Sequence, residues 1–540
     1  MEDRVLIAGG GTMGAGIAFV AANGGYAVEI VEPDAAARER ALERLRREAA
    51  RAGDESSVGR IRFLEAIPQR SGAAIAIEAV PEQFELKRDV FIALAGAIAP
   101  DALLATNTSS LCVADLADLV PQPERVVGLH FFNPPTAMKL VEVVRAPETA
   151  DPTIERAFTF VERIGKTAVL AADTPGFIVN RVARPYYLQA MRALDRSVAS
   201  IDELDALARA VGFRMGPFEL MDFIGLDVNL ATSESLFART GAPRFAPLEM
   251  QRNLVAQGRL GRKSGAGFYD YAGGNPERLD LAVASLEGAP DDQEVVAIVG
   301  FGGLADELAE LLEQRYARVQ RIENDELLDE LSLAASIVID VGDGITDRGD
   351  VIAALDGLLG TETVLFVDAY ATDISACAQR LKHADRLVGY GILGSLAGQS
   401  AVEIVDSAEV SDDALALAQE LFASLGKGAV LVENVPALFL GRTVGSIVNE
   451  AVTAVHEDVA TPDDVDTAMR LGTNYPIGPV AWGREIGGKR VARILARLAD
   501  AEGSEFAPHR SLWVLDVEEE GAAEPIETTS EVPALGMRGF

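Results

Sequence analysis

Residues 125–144, RVVGLHFFNPPTAMKLVEVV, and residues 386–405, RLVGYGILGSLAGQSAVEIV, carry one pattern written twice. A single offset of 261 relates them. It takes Glu142 to Glu403 and, further on, Pro175 to Pro436 and Arg181 to Arg442. A chain of 540 residues already exceeds what one hydrophobic core supports. The repeat constrains it further: whatever the first half folds into, the second half folds into again. The copies differ near their starts, where Gly9-x-Gly11 recurs as Gly300-x-Gly302 at an offset of 291. The second copy is therefore 30 residues shorter, and the loss lies before residue 368.

The opening of the first copy sets the fold class. An apolar run, VLIAG, leads into Gly9-x-Gly11-x-x-Gly14, then an apolar helical stretch, then a second strand, AVEIV, that ends at Glu32. In that context Gly9 permits the tight turn, Gly11 lets the backbone approach a pyrophosphate, and Gly14 lets helix and strand pack closely. Thr12 and Met13 open the helix whose unpaired N–H groups face the phosphates. Glu32 would accept hydrogen bonds from the adenosine ribose and repel a 2′-phosphate, which favours NAD over NADP. Arg38 lies close enough to reshape that pocket. Strands and helices continue to alternate through AAIAIEAV, EQFELKRDVFIALAGAIA and LLATN. The class is α/β, a Rossmann-type doubly wound sheet. Ligands of such sheets sit beyond the carboxyl ends of the strands, where 78–82, 107–110 and 130–133 leave polar residues.

His130, one of four histidines, ends the apolar run RVVGL, and Glu142 interrupts the apolar run KLVEVV. A buried acid is costly unless paired. Adjacent strands could bring its carboxylate to the imidazole, fixing the tautomer and raising the basicity of the other ring nitrogen. Oxidation of an alcohol needs such a base to take the hydroxyl proton. The alternative is a core histidine with a surface glutamate, and spacing alone leaves both open.

Taken together, HFFNP with MKLVEVV, NTSSL at 107–111, DTPGFIVNR at 173–181 and GRLGRKSGAGFYDY at 258–271 resemble the (S)-3-hydroxyacyl-CoA dehydrogenases over residues 1–272. The resemblance implies NAD as cofactor and an acyl-CoA as substrate, oxidised from the 3-hydroxy to the 3-oxo form in fatty-acid or aromatic-acid catabolism. It makes His130 the general base and Glu142 its partner, with Ser109 and Asn180 on the substrate's oxygen atoms. Glu82 and Lys87 would lie near the nicotinamide ribose, and Asn107 belongs to the same cofactor-facing stretch. Asn133 is structural in this reading. The family often carries Glu where Gln189 stands. Ser109 could instead cap the helix after NTSSL, a role that Thr108 or Ser110 could equally fill. Arg262 and Lys263 are candidates for CoA phosphate contacts or plain surface charges. No hydratase-like region precedes the glycine turn, so a single activity is expected. Two other functions remain in view: oxidation of a free hydroxy acid, and a non-enzymatic NAD-binding structural or sensor role.

Read through the same offset, the second copy loses the chemistry. His130 maps to Gly391, Asn133 to Gly394, Asn180 to Gly441 and Ser109 to Tyr370, while Ala305 replaces the third glycine. Only the glutamate survives, as Glu403. The expected domains are a nucleotide-binding unit over 1–182, a helical unit over 183–282, a degenerate Rossmann-like unit over 294–435 and a second helical unit over 436–517. An acidic, disordered tail over 518–540 follows. GFRMGPFELMDFIGLD at 212–227 and LGTNYPIGPVAWGREIGG at 471–488 match, so the helical units could pair as an internal pseudo-dimer within a monomer or a homodimer. A net charge of −35 argues against nucleic acid and anionic membranes as partners. It also demands local cations if the substrate is anionic. With no apolar run of bilayer-crossing length, no secretory leader and only two cysteines, a cytoplasmic protein without a disulfide framework or metal cluster is expected.

Overall fold

The computed structural model describes residues 4–281 and 291–516. The predicted acidic tail and part of the linker at 272–293 lie outside the described residues. The first copy builds an eight-stranded sheet from β1 (Arg4–Ala8), β2 (Ala27–Val31), β3 (Ile61–Leu64), β4 (Ile75–Glu78), β5 (Leu103–Thr106), β6 (Val126–Phe131), β7 (Leu140–Arg145) and β8 (Thr167–Ala172). Their order is 3-2-1-4-5-6-7-8. All pairings are parallel except β6 with β7. Helices cover both faces, so strands such as β4 and β5 are buried along their whole length. That is why they read as continuous apolar runs rather than alternating ones.

The second copy repeats the plan with β9 (Asp291–Gly300), β10 (Tyr316–Ile322), β11 (Ile337–Gly342), β12 (Val364–Asp368), β13 (Leu387–Gly391), β14 (Ala401–Asp406) and β15 (Gly428–Glu433). Their order is 10-9-11-12-13-14-15, again with one antiparallel pair, β13 with β14. The 30-residue deletion falls between β10 and β11. Among the described residues the second copy has no counterpart of helix Ala35–Ala52 or of β3; a short 3₁₀ turn, Asp325–Glu330, bridges the gap.

After each sheet comes a helical segment, and the Gly-Pro signals in both have one cause. Asp205 accepts hydrogen bonds from the amides of Phe218 and Glu219, capping helix Pro217–Ile224; Asp466 does the same for helix Pro479–Ile486 through Val480 and Ala481. A Cβ on Gly216 or Gly478 would stand 2.2 Å from that carboxyl carbon, so only glycine fits. Likewise Gly261 and Gly267 of GRLGRKSGAGFYDY pack on Asp222: a Cβ on Gly267 would overlap its carboxylate, which accepts from Phe268 and Tyr269 N.

The two halves meet through reciprocal contacts. Ala172 N donates to Val459 O at 2.8 Å, and Glu433 N donates to Val198 O at 2.9 Å, the same bond seen from each copy. Helix Arg184–Asp195 lies against helix Phe439–His456, where Gln189 donates to Ser446 Oγ. Arg181 pairs with Glu450 at 2.6 Å, and the equivalent Arg442 donates to Gln189. This is the self-complementary pattern of an isologous interface, formed within one chain. Phe213 stacks on Tyr186 at 4.4 Å and meets Tyr475 and Trp482 of the second half. Among the described residues no helix is long and apolar enough to cross a membrane.

Glu450 is 2% exposed and also holds Arg244. Glu450→Ala leaves Arg244 without its acid and Arg181 with only Glu457, at 2.7 Å, and is expected to cost about 3 kcal/mol. Glu450→Gln, which copies the neutral side chain at Gln189, is expected to cost less. Urea unfolding of the two variants measures the difference.

Candidate active site

His130 and Glu142 are directly opposite residues on the antiparallel pair β6–β7. Their side chains meet, Nδ1 to Oε2, at 2.5 Å, with Glu142 fully buried and His130 6% exposed. Glu142 is therefore a buried partner of the imidazole on the adjacent strand, not a surface acid. The other carboxylate oxygen, Oε1, accepts the amides of Ile178 at 3.0 Å and Val179 at 2.9 Å. Glu142 thus orients the imidazole and anchors the start of the helical segment that carries Asn180. The ring of His130 is flanked by Phe132 and Phe177, and its remaining nitrogen opens onto a cleft of about 560 Å³.

That cleft is lined by Thr12, Met13, Glu82, Asn107, Ser109, His130 and Asn180, so the polar strand ends do converge. Among the described residues, nothing hydrogen-bonds the Ser109 hydroxyl or the Asn180 side-chain amide. Thr108 Oγ1 accepts Leu111 N at 3.0 Å just ahead of helix Val113–Ala117, and Asp173 accepts Ala114 N at 2.8 Å at its head. This releases Ser109 for the cleft. Asn107 accepts Phe131 N at 2.9 Å, tying the end of β5 to the end of β6 beside His130. Asn133 stands in the exposed turn after β6, and the following Pro135 packs on the dinucleotide helix at Gly16.

Glu82 binds the backbone amides of Ser109 and Ser110 and the hydroxyl of Thr108. Burial opposes its ionisation, but the charge of Lys87 and these hydrogen bonds prevail and hold the carboxyl at about 2. Stability from these bonds is full above about pH 4.5 and is lost as pH falls toward 2. The Lys87 ammonium is 1% exposed and is spent on Glu78 at 2.7 and 2.9 Å, on Glu82 at 3.2 Å and on Val80 O. It lies behind Glu82, not at the cleft surface. The second copy, stripped of chemistry, keeps an equivalent buried pair in Arg348 and Asp340, so this pairing belongs to the fold. Arg262 and Lys263 are likewise engaged, with Glu219 at 2.9 Å and Asp227 at 2.5 Å, outside the cleft lining.

The glycine turn fits a dinucleotide. Gly9 has φ +109, and a Cβ there would sit 2.5 Å from Ala79 O; one on Gly14 would overlap Gly9 O; one on Gly11 would meet nothing within 4 Å, which leaves the pyrophosphate's approach open. Glu32 accepts Gly10 N at 3.0 Å and Asp34 N at 3.1 Å. Arg38 turns away from that carboxylate to the carbonyls of Glu32 and Pro33 and to Glu65.

Three features of the cleft had no sequence signal. Arg184 and Tyr187 form one wall, Ile224, Val228, Asn229 and Thr232 another, and Gly472 and Thr473 reach in from the second half. In the second copy the site is plugged. Tyr370 fills the space that Gly391 and Gly441 vacate, where a Cβ on either would come within about 3.0 Å of its ring. Its hydroxyl donates to Glu403 at 2.6 Å, taking the place of the imidazole, while Glu403 still accepts Phe439 N and Leu440 N. Burial outweighs these donors and pushes Glu403 up to about 7. Gly302 adopts φ +95 where Gly11 has −66, so the turn over Ala305 differs from the first copy's cradle.

A doubly wound sheet with a dinucleotide turn, and an imidazole–carboxylate pair opening on the same cleft, define a nicotinamide-dependent alcohol dehydrogenase. The chain matches the 3-hydroxyacyl-CoA dehydrogenase NAD-binding domain over residues 4–174 and 305–435, and the C-terminal domain of the same family over 176–271 and 439–524. It is 36% identical over 93% of its length to the 3-hydroxyadipyl-CoA dehydrogenase of Escherichia coli, covering 95% of that protein. Half of it is 37% identical to a probable 3-hydroxybutyryl-CoA dehydrogenase of Bacillus subtilis, covering 97% of that protein. The crystal structure of a 3-hydroxybutyryl-CoA dehydrogenase from Escherichia coli K12 superposes with a TM-score of 0.77 at 33% identity, over 95% of this chain and 98% of that one. The chain belongs to the 3-hydroxyacyl-CoA dehydrogenase family. It is an NAD-dependent oxidoreductase that converts (S)-3-hydroxyacyl-CoA to 3-oxoacyl-CoA.

The two glutamates offer an internal control. Glu142→Gln is expected to lower kcat by about 10²–10⁴, the worth of a positioned base. Glu403→Gln, at the same place in the fold, is expected to leave kcat unchanged. Steady-state NADH formation reads both.

Proposed function

We propose that His130 is the general base and that Glu142 holds it in the required tautomer. Nε2 takes the proton of the substrate's 3-hydroxyl, and the Glu142 carboxylate on Nδ1 stabilises the imidazolium that results. Ser109 and Asn180 donate to the oxygen atoms of the substrate, where charge develops. The glycine turn at Gly9–Gly14 and the Glu32 carboxylate would hold NAD, which would supply the hydride acceptor. Glu82, held ionised by Lys87, fixes the loop that presents Ser109. The observation that carries this reading is the buried 2.5 Å contact beside two polar side chains that no protein group satisfies.

The thioester's anionic head must enter a protein of net charge −35. Arg44 and Arg47 on helix Ala35–Ala52 line a smaller pocket with Thr136, just beyond the turn after β6, beside an Arg51 that Glu48 holds at 3.0 Å. Arg44 and Arg47 are suited to a phosphate. The second copy lacks this helix, in keeping with a half that turns over no substrate. That half serves the first as a built-in partner, covering the faces that a separate subunit would otherwise cover and adding Gly472 and Thr473 to the cleft.

His130→Gln is expected to abolish turnover of a 3-hydroxyacyl-CoA panel while NADH binding, followed by fluorescence, stays near wild type. Wild-type turnover in that variant would exclude His130 as the base. Glu32→Ala is expected to narrow the NAD over NADP preference in kcat/KM; an unchanged preference would remove Glu32 as ribose ligand.

A further inference from the structure

The family names attached to relatives cover both a dicarboxylic acyl group and a plain one, so the far end of the acyl chain is left open by similarity. Arg184 bears on it. The residue is 3% exposed and lines the cleft, yet its guanidinium has no acidic partner among the described residues. Its hydrogen bonds go to neutral acceptors at long range: Asn180 O at 3.3 Å, Asn229 O at 3.2 Å and Ser233 Oγ at 3.3 Å. It also lies 4.8 Å over the ring of Tyr187. Burial with no acid alongside holds it below the usual arginine range.

A buried cation without a counter-charge is costly, and its cost is relieved when an anion arrives. The only other charged side chain lining this cleft is Glu82, which Lys87 already neutralises. Arg184 is therefore the one cation without an acidic partner among the described residues that line the cleft. Position matters as well. Arg184 follows Asn180 by four residues, across the break between helices Val179–Val182 and Arg184–Asp195; its Nε donates to the Asn180 carbonyl, and both residues line the cleft. The neighbouring wall, half-exposed Ile224 and Val228, suits the intervening methylenes.

We propose that Arg184 receives a carboxylate at the far end of the acyl chain, so that it selects 3-hydroxy-dicarboxylic mono-CoA thioesters over their plain acyl counterparts. This rests on the dehydrogenase reading above. The competing role, a clamp between helices Arg184–Asp195 and Leu226–Thr240, predicts no discrimination between acyl ends.

The test compares (S)-3-hydroxyadipyl-CoA with (S)-3-hydroxyhexanoyl-CoA, which differ only in carboxylate against methyl at C6. The wild-type enzyme is expected to favour the dicarboxylic thioester at least tenfold in kcat/KM. Arg184→Leu should lose about 10²–10³-fold on that substrate and change little on the hexanoyl thioester, and Arg184→Lys should recover part of the loss. Equal wild-type turnover of the two overturns the proposal without any variant. So does a parallel loss of both substrates in Arg184→Leu, which would assign the guanidinium to the common thioester or to the clamp. If the wild type oxidises neither, the dehydrogenase reading fails and this inference with it; if it oxidises the hexanoyl thioester without preference, only this inference fails.

Discussion

One buried carboxylate joins the two parts of the catalytic half. Glu142 sits in the middle of an apolar strand, fully enclosed, and uses both oxygens: one on the imidazole of His130, the other on two amides at the head of a helical segment. An isolated acid there would be expelled or neutralised. Satisfied on both sides, it orients the imidazole of His130 and sets Asn180 one residue past the amides it binds. The turn leading there places Gly176 at φ +79 and Phe177 at φ +49, a left-handed pair that a non-glycine residue adopts at a cost of about 1–3 kcal/mol.

The second copy separates what the fold needs from what the reaction needs. Glu403 still binds its two amides, and Ala437 and Leu438 repeat the left-handed turn. The strain and the buried acid are therefore architectural. Lost are the imidazole, the asparagine and the serine, replaced by two glycines and a tyrosine whose ring occupies the emptied volume. Those changes compensate one another: without Gly391 and Gly441 the Tyr370 ring would not fit, and without the ring the glutamate would face a void. The reciprocal backbone bonds at Val198 and Val459 and the Arg181–Glu450 and Arg442–Gln189 contacts keep the silent half in register with the working one.

Much of this was legible in the chain. The constant offset announced the duplication, and the glycine turn with its flanking strands announced the nucleotide fold, because periodicity and glycine geometry are local properties. His130 and Glu142 stood out as polar residues in apolar runs, although only resemblance to a family chose between catalysis and chance. That the Lys87 ammonium is buried against Glu78 and Glu82 has no sequence signal, because a lysine near a ligand-facing loop reads the same in sequence whichever way it points. The cap by Asp173, 59 residues from Ala114, has no local trace at all.

By itself, then, the sequence determined the two-copy plan, the dinucleotide turn and the loss of chemistry in the second half, since each is written in spacing or residue identity along the chain. Tertiary structure decided which oxygen of Glu142 holds which donor, that Ser109 is free of capping, and that Tyr370 plugs the second site. It also decided that Arg184 stands in the cleft without a counter-charge and that Thr473 reaches in from the other copy. Those are matters of where remote side chains meet and which hydrogen bonds burial obliges them to make, and residue spacing carries no record of either.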